Sequence, residues 1–324
     1  MSHNTGARVR TPGSDASRSL SARVVSYGLS VASLLACVGS STATEITVLI
    51  SSESPPFRQA ADGVLEEIGR LGMTTVTYEL GGDLERGRKL AQRLRATDTD
   101  LVIGIGIKAA RAAGLEVVDL PVVYTLVMSP QTAGLVALNI SGVALDVPAE
   151  AQLSALRDLL PSTKRLGIVY DPAKSAQAVQ EATRAAAQLD FAVVTYPIAS
   201  QSELPPALRA LLPAVDVLWL LPDTTVLGNE APAFILQESF QHRRPVLAFS
   251  ADLVKQGALL GFAVDYREAG RQAARLSHHL LTHQASTPIR QSPEHIRLAL
   301  NMKTAHSLGV TIPPAFAARV EERY

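Results

Sequence analysis

Cysteine is almost missing from this chain of 324 residues, and the one present, Cys37, lies in an N-terminal segment of separate character. If that segment is removed the remainder has no thiol, which excludes a disulfide framework, thiol catalysis and zinc–thiolate sites. Aromatic residues make up only 5%, so the stacking platforms that hold single-stranded bases are lacking. Neither charge is in excess: 30 Lys and Arg stand against 30 Asp and Glu. A neutral chain gives no case for nucleic acid or for an anionic membrane surface as partner. No G-x-S-x-G or H-E-x-x-H occurs, and no nucleophile is paired with a base in sequence. The expectation is a protein that is not an enzyme and uses no cofactor.

Long hydrophobic runs are also lacking. The longest, Val24–Val38, is about 15 residues, in the range of a secretory signal and short for a spanning helix. Arg8, Arg10, Arg18 and Arg23 precede it, and Ser41 and Ala43 follow in a small-x-small pattern before Thr44. Residues 1–43 therefore read as an export signal with an extended n-region, which places the mature protein in the periplasm. An uncleaved membrane anchor is the alternative. Leu34, Leu35 and Ala36 before Cys37 loosely resemble a lipoprotein cleavage box, so Cys37 is a candidate for lipidation.

From Ile46 onward short apolar runs alternate with helical spacing. Apolar runs at Ile46–Ser52, Leu101–Gly106, Val122–Ser129, Leu166–Asp171 and Val215–Leu221 each end in a polar, Gly or Pro loop. Between the first two, Ala61, Val64, Leu65, Ile68 and Leu71 recur at helical spacing. Such alternation implies parallel sheets covered by helices on both faces. The rhythm breaks at Ala133–Val143, where Gly134 and Gly142 punctuate the chain, and a first crossing between lobes is expected there. The predicted organisation is an N-terminal lobe over 44–140, a C-terminal lobe over 141–262, and a closing segment, 263–324, that returns across the hinge.

In open parallel sheets the ligand crevice lies outside the carboxyl ends of the strands. That rule selects Ser52, Glu53, Ser54, Ile107, Lys108, Met128, Ser129, Asp171, Asp223, Thr224, Thr225, Phe249 and Ser250 as candidate contacts. Each has a plainer reading. The serines are turn residues, Glu53 is a solvated loop acid, and Asp171 starts a helix. Gly104–Ala109 matches G-x-G-x-x-A but follows the third strand, not the first, so it is either an anion-binding helix start or a pair of glycines for tight packing. Asp223 either holds a ligand or caps the next helix. As a ligand residue it would weaken binding on substitution by alanine while leaving the unliganded stability nearly intact. His279 and His283 have ligand spacing, but no acid completes a metal site.

Leu260–Leu276 (LGFAVDYREAGRQAARL) and Leu298–Glu322 (LALNMKTAHSLGVTIPPAFAARVEE) resemble the closing segments of ABC-type solute-binding proteins of the tryptophan/tyrosine-uptake branch. The resemblance extends back to about Ile46, through LVIGIG, PVVY, NISGV and PSTKRLGIVYDP. It implies the type I periplasmic-binding fold: two Rossmann-like α/β lobes joined by a three-segment hinge, with a ligand in the cleft. It implies a monomer that captures a small organic solute and delivers it to an ABC permease and its ATPase. The alternative on the same fold is a sensor or accessory module acting through protein contacts, with a sensor kinase or an outer-membrane receptor as partner. The pocket departs from the family pattern. Ile107 and Lys108 stand where Thr-Pro is usual, Met128-Ser129-Pro130 lacks the acid of Ser/Thr-Asp-Pro, and Thr224 replaces the amide of Asp-Asn-Thr. The resemblance thus implies a cleft with fewer hydrogen-bond partners, and no particular amino acid as its ligand.

Overall fold

The computed structural model describes residues 44–228, 230–283 and 287–324. The expected export signal, with Cys37, lies outside the described residues. From its first strand the chain alternates: β1 (Glu45–Ile50), α1 (Pro55–Arg70), β2 (Thr74–Glu79), α2 (Leu84–Leu94), β3 (Leu101–Ile105), α3 (Ile107–Glu116), β4 (Val122–Val127) and β5 (Ile140–Ala144). A second alternation follows: α4 (Ala149–Leu159), β6 (Arg165–Tyr170), α5 (Pro172–Gln188), β7 (Ala192–Pro197), α6 (Leu204–Leu211), β8 (Val217–Trp219), α7 (Ala231–Gln241), β9 (Val246–Leu247), α8 (Ala251–Gln256) and β10 (Leu260–Val264). The chain closes with α9 (Tyr266–His283), β11 (Arg290–Gln291), β12 (Ile296–Leu300), α10 (Met302–Leu308), α11 (Pro314–Ala317) and β13 (Val320–Arg323).

The strands form two sheets, ordered β11-β5-β4-β3-β1-β2 and β13-β12-β10-β9-β8-β6-β7. Pairing is parallel throughout except between β10 and β12. Central strands are covered on both faces, which is why β3 and β4 read as unbroken apolar runs, buried at every position. The outer strands β2 and β7 carry exposed polar residues instead.

Three segments cross between the sheets, after Ala144, after Val264 and after Gln291. The first falls later than expected. β5 pairs with β4 from Ile140 to Ala144, so the chain stays in the first sheet beyond residue 140. Gly142, read from sequence as loop punctuation, lies inside that strand. A β-carbon there would stand 2.4 Å from the Tyr124 ring, so the glycine makes room for the tyrosine. The expected closing segment is divided: α9 packs on α1 beside the first sheet, while β12 and β13 extend the second.

α1 and α9 pack with their backbones in close approach. Arg267 pairs with Asp62 at 2.9 Å and with Glu66, and Arg271 with Glu66 at 2.8 Å. These pairs are largely solvated and contribute about 0–1 kcal/mol each. Backbone approach sets the geometry. A β-carbon on Gly63 would lie 1.9 Å from the Arg267 carbonyl oxygen, and one on Gly270 would lie 2.0 Å from that of Ala60. Gly63→Ala is therefore expected to destabilise by about 2–3 kcal/mol in urea unfolding, because two helix backbones must part. Gly69→Ala, on the same helix with nothing within 4 Å, should leave stability unchanged or slightly raised.

Candidate functional site

The carboxyl edge of the first sheet carries the loops after β1, β3 and β4. Ser51 donates no side chain to a ligand there: its Oγ accepts the Ala109 N–H at 2.9 Å and so caps α3. Ser52 accepts the Ser54 N–H at 3.3 Å, and Ser54 stands at the N-cap of α1. Glu53 pairs with Arg58 at 2.9 Å, and a hydrogen bond from Glu79 to Glu53 holds the Glu79 carboxyl above its ordinary range. Ile107 is exposed, and Lys108 donates to the Gly82 carbonyl. The glycines of Gly104–Ala109 serve packing. A β-carbon on Gly104 would meet Ala110 backbone at 2.7 Å, and Gly106, at φ 86°, leaves no space beside Phe57.

In the second lobe Asp223 does not cap the next helix, α7, whose N-cap is Glu230. The Asp223 side chain is buried and accepts four hydrogen bonds, from the Asp171 N–H (2.8 Å), the Ser175 hydroxyl (2.6 Å), the Thr225 N–H (2.8 Å) and the Val226 N–H (3.2 Å). Asp171 caps α5 through the Ala173 N–H and accepts the Thr225 hydroxyl at 2.7 Å. That hydroxyl bond, then the cap, hold the Asp171 carboxyl below its ordinary range. Lys174 donates to Thr225 at 2.6 Å, and Thr224 is left exposed. The Asp171–Asp223–Thr225 set thus ties the ends of β6 and β8 together. As a correction to the sequence reading, Asp223 has no lone-pair direction to spare for a ligand, because backbone and hydroxyl donors of its own lobe fill them.

Two cavities flank the first crossing segment. Side chains alternate along an extended chain, so Ala144 and Asp146 face one cavity and Leu145 the other. The smaller, about 230 Å³, takes Met128, Phe249 and Ser250 of the expected contacts, with Tyr266, Arg297 and Tyr324. Ser250 also caps α8 through the Leu253 N–H at 3.4 Å. The larger, about 420 Å³, takes Ser129 alone from the expected set. The remaining candidates, at 52–54, 107–108, 171 and 223–225, line neither.

The larger cavity is bounded by both lobes. The first contributes Tyr124, the loop Ser129–Thr132 and Arg290; the second contributes Glu150, Gln152, Glu181 and Trp219. Its floor is fixed: the Trp219 indole donates to Gln152 at 2.9 Å, and Gln152 donates in turn to the Val147 carbonyl at 2.8 Å. A bulge re-aims the end of β4. Leu126 adopts φ 55° where the register with β5 slips, and Ser129 adopts φ 47°. The turn brings the Ser129 N–H to the Asp146 carboxylate at 2.7 Å. Burial pushes the Asp146 pKa up, partly offset by the bonds from Ser129. Sequence reasoning missed Tyr124, Asp146, Gln152 and Glu181. The signals were slight: a tyrosine and a glycine at matching places in adjacent apolar runs, and an acid before Val-Pro at a helix start.

The histidines expected not to form a metal site lie on α9, where the rings of His279 and His283 stack at 4.4 Å. Glu268, Glu294 and His295 come together elsewhere, but Arg275 already bonds both acids, at 3.0 and 2.7 Å.

Two parallel-dominated α/β lobes joined by three crossings, with a cavity between them, define a type I periplasmic-binding fold. Residues 45–323 match the family model of ABC transporter substrate binding proteins, and the chain belongs to that family. It is 25% identical over 207 residues to a tyrosine-binding protein of Clostridioides difficile (strain R20291), covering 61% of this chain and 59% of that protein. Among solved structures it is similar to a ligand-free, open substrate-binding protein with adhesive properties from Clostridium difficile (TM-score 0.72, 21% identity, 87% of this chain and 99% of that one). It is also similar to a Streptococcus pneumonia ABC domain in complex with L-Trp (TM-score 0.62, 23% identity, 87% and 100%).

Asp223→Ala is expected to lower the unliganded stability by about 3 kcal/mol in urea unfolding, since it strands buried donors at two strand ends. An unliganded midpoint within error of the parent would restore Asp223 as a ligand residue.

Proposed function

We propose that the protein captures a small organic solute in the 420 Å³ cavity between its lobes and hands it to the permease and ATPase of an ABC importer. The observation that carries this reading is the placement of the cavity. Residues from both lobes and from a crossing segment line it, so a ligand held there contacts two bodies that share a hinge. A ligand that touches both lobes in the closed form and one in the open form shifts the population toward closure by that difference in contact. Family membership supports the same reading over that of a sensor or accessory module. The relatives' ligands, tyrosine and L-Trp, belong to those proteins; the amino-acid chemistry they share supports a small organic solute here.

The protein acts after export, as a monomer and without catalysis. Among the described residues no helix is long and apolar enough to cross a membrane. Residues 1–43 are the export signal, with Cys37 the residue that a lipid anchor would use.

Small-angle scattering with thermal unfolding tests the proposal. A bound solute should reduce the radius of gyration and raise the melting temperature together, the latter equivalent to about 2.7 kcal/mol at a hundredfold excess over Kd. Stabilisation with no compaction across an amine, amino-acid, carboxylate and nucleoside library would place binding outside the hinge cleft and sink the proposal.

A further inference from the structure

The charged side chains lining the inter-lobe cavity are unequal in sign: Asp146, Glu150 and Glu181 against Arg290. Ion pairs among the described residues lie elsewhere, chiefly between α1 and α9 and on the lobe surfaces, and none includes those three acids. Glu181 is met by the Gln177 amide at 2.9 Å and Asp146 by the Ser129 N–H at 2.7 Å. These are neutral donors. No basic group offsets the burial of Asp146, and nearby Glu181 adds to its discomfort.

A second observation is independent of the acids. Tyr124 is fully buried, its ring seated on Gly142, and among the described residues its hydroxyl has no hydrogen-bond partner although the residue lines the same cavity. Burial pushes the phenol up to about 12, so it stays protonated and able to donate. Arg290 is the cation nearest to it in effect. A buried hydroxyl without a partner is uncommon in a folded protein, and this one belongs to a residue that lines the cavity.

We propose that this cavity takes a small organic cation of net positive charge, with its ammonium among Asp146, Glu150 and Glu181 and an oxygen acceptor on the Tyr124 hydroxyl beside Arg290. The inference rests on the solute-capture reading and narrows its substrate class. Charge balance decides against a zwitterion with an uncharged side chain. Such a ligand answers one acid and the one base, and closure then leaves two acids losing water without a partner, which is costly. An amino alcohol or an amino acid with a basic side chain leaves a smaller deficit and brings an oxygen acceptor for the Tyr124 hydroxyl.

Isothermal titration and thermal shift on the full chain test this with ethanolamine, lysine and arginine against leucine, tryptophan, tyrosine and glutamate. The cations should raise the melting temperature, and the others should not at equal concentration. Asp146→Asn and Glu181→Gln should each weaken the best cation by about tenfold or more, and Tyr124→Phe by roughly fivefold. Asp146→Asn retains an acceptor for the Ser129 N–H, so it should also raise the unliganded melting temperature by about a degree or more, as removal of an uncompensated charge does. A purely structural Asp146 would lower it. Binding of tryptophan, tyrosine or leucine without the cations overturns the substrate class and leaves solute capture standing. Cation binding that all three variants leave unchanged overturns the site. No response to any probe overturns the cation proposal and counts against solute capture as well.

Discussion

A carboxylate taken out of water must be met by donors or by a cation, and this protein meets two of its carboxylates differently. Asp223 receives four donors from its own lobe and becomes a structural knot between β6, α5 and β8. Asp146 receives the Ser129 N–H and no cation, and its pKa is pushed up by burial. The first arrangement is closed and rigid. The second is open on the side that faces the cavity, and it separates scaffold from site more sharply than exposure does.

The open arrangement depends on backbone geometry fixed well away from any charge. β4 and β5 are buried along most of their length and pair in parallel, which sets where both strands end. The bulge at Leu126 turns the end of β4, and alternation along the crossing segment sends Asp146 to one side and Leu145 to the other. Trp219 and Gln152 hold the opposite wall through a hydrogen bond that ends on the crossing segment itself. Asp146, mounted between these elements and held by the Ser129 N–H, has little freedom to turn away, so part of its ordering cost is met during folding.

The fold was legible because its signals are local and repeated: buried apolar runs, helical spacing, and loops between them. What escaped were β11 and β13, short strands whose existence depends on a distant partner strand, and β5, whose Gly142 reads as a break until Tyr124 is seen against it. The site was less legible for a related reason. Strand-end loops were the rational place to look, and Ser129, Met128, Phe249 and Ser250 do border cavities. Yet a strand-end acid that binds a ligand and one that holds its own backbone have the same sequence signature: Asp171 caps α5, and Asp223 holds the turn at Thr225 and Val226. Asp146 lies on a crossing, where no periodicity guides the eye. Tyr124 sits mid-strand, where sequence alone reads core. Its missing partner is a fact of three dimensions.

One departure from the family pattern takes a different meaning in the structure. The resemblance leads to an acid in the loop after β4, and the chain has Ser129 there. The Asp146 carboxylate, from the crossing segment, binds the backbone of that same serine at 2.7 Å. Negative charge is therefore present at the loop but carried by the hinge. Ser129 anchors it to the first lobe, whereas Glu150 and Glu181 stand on α4 and α5 of the second. A cation lying between them is attracted by both lobes, and its attraction is greatest when they approach. On the cation reading, Asp146 on one side and Glu150 and Glu181 on the other repel as they close and lose water, and Arg290 offsets only part of this, so the same acids that favour a cation oppose closure without one. On the proposed reading, selectivity for charge and dependence of closure on ligand follow together from one arrangement of three acids.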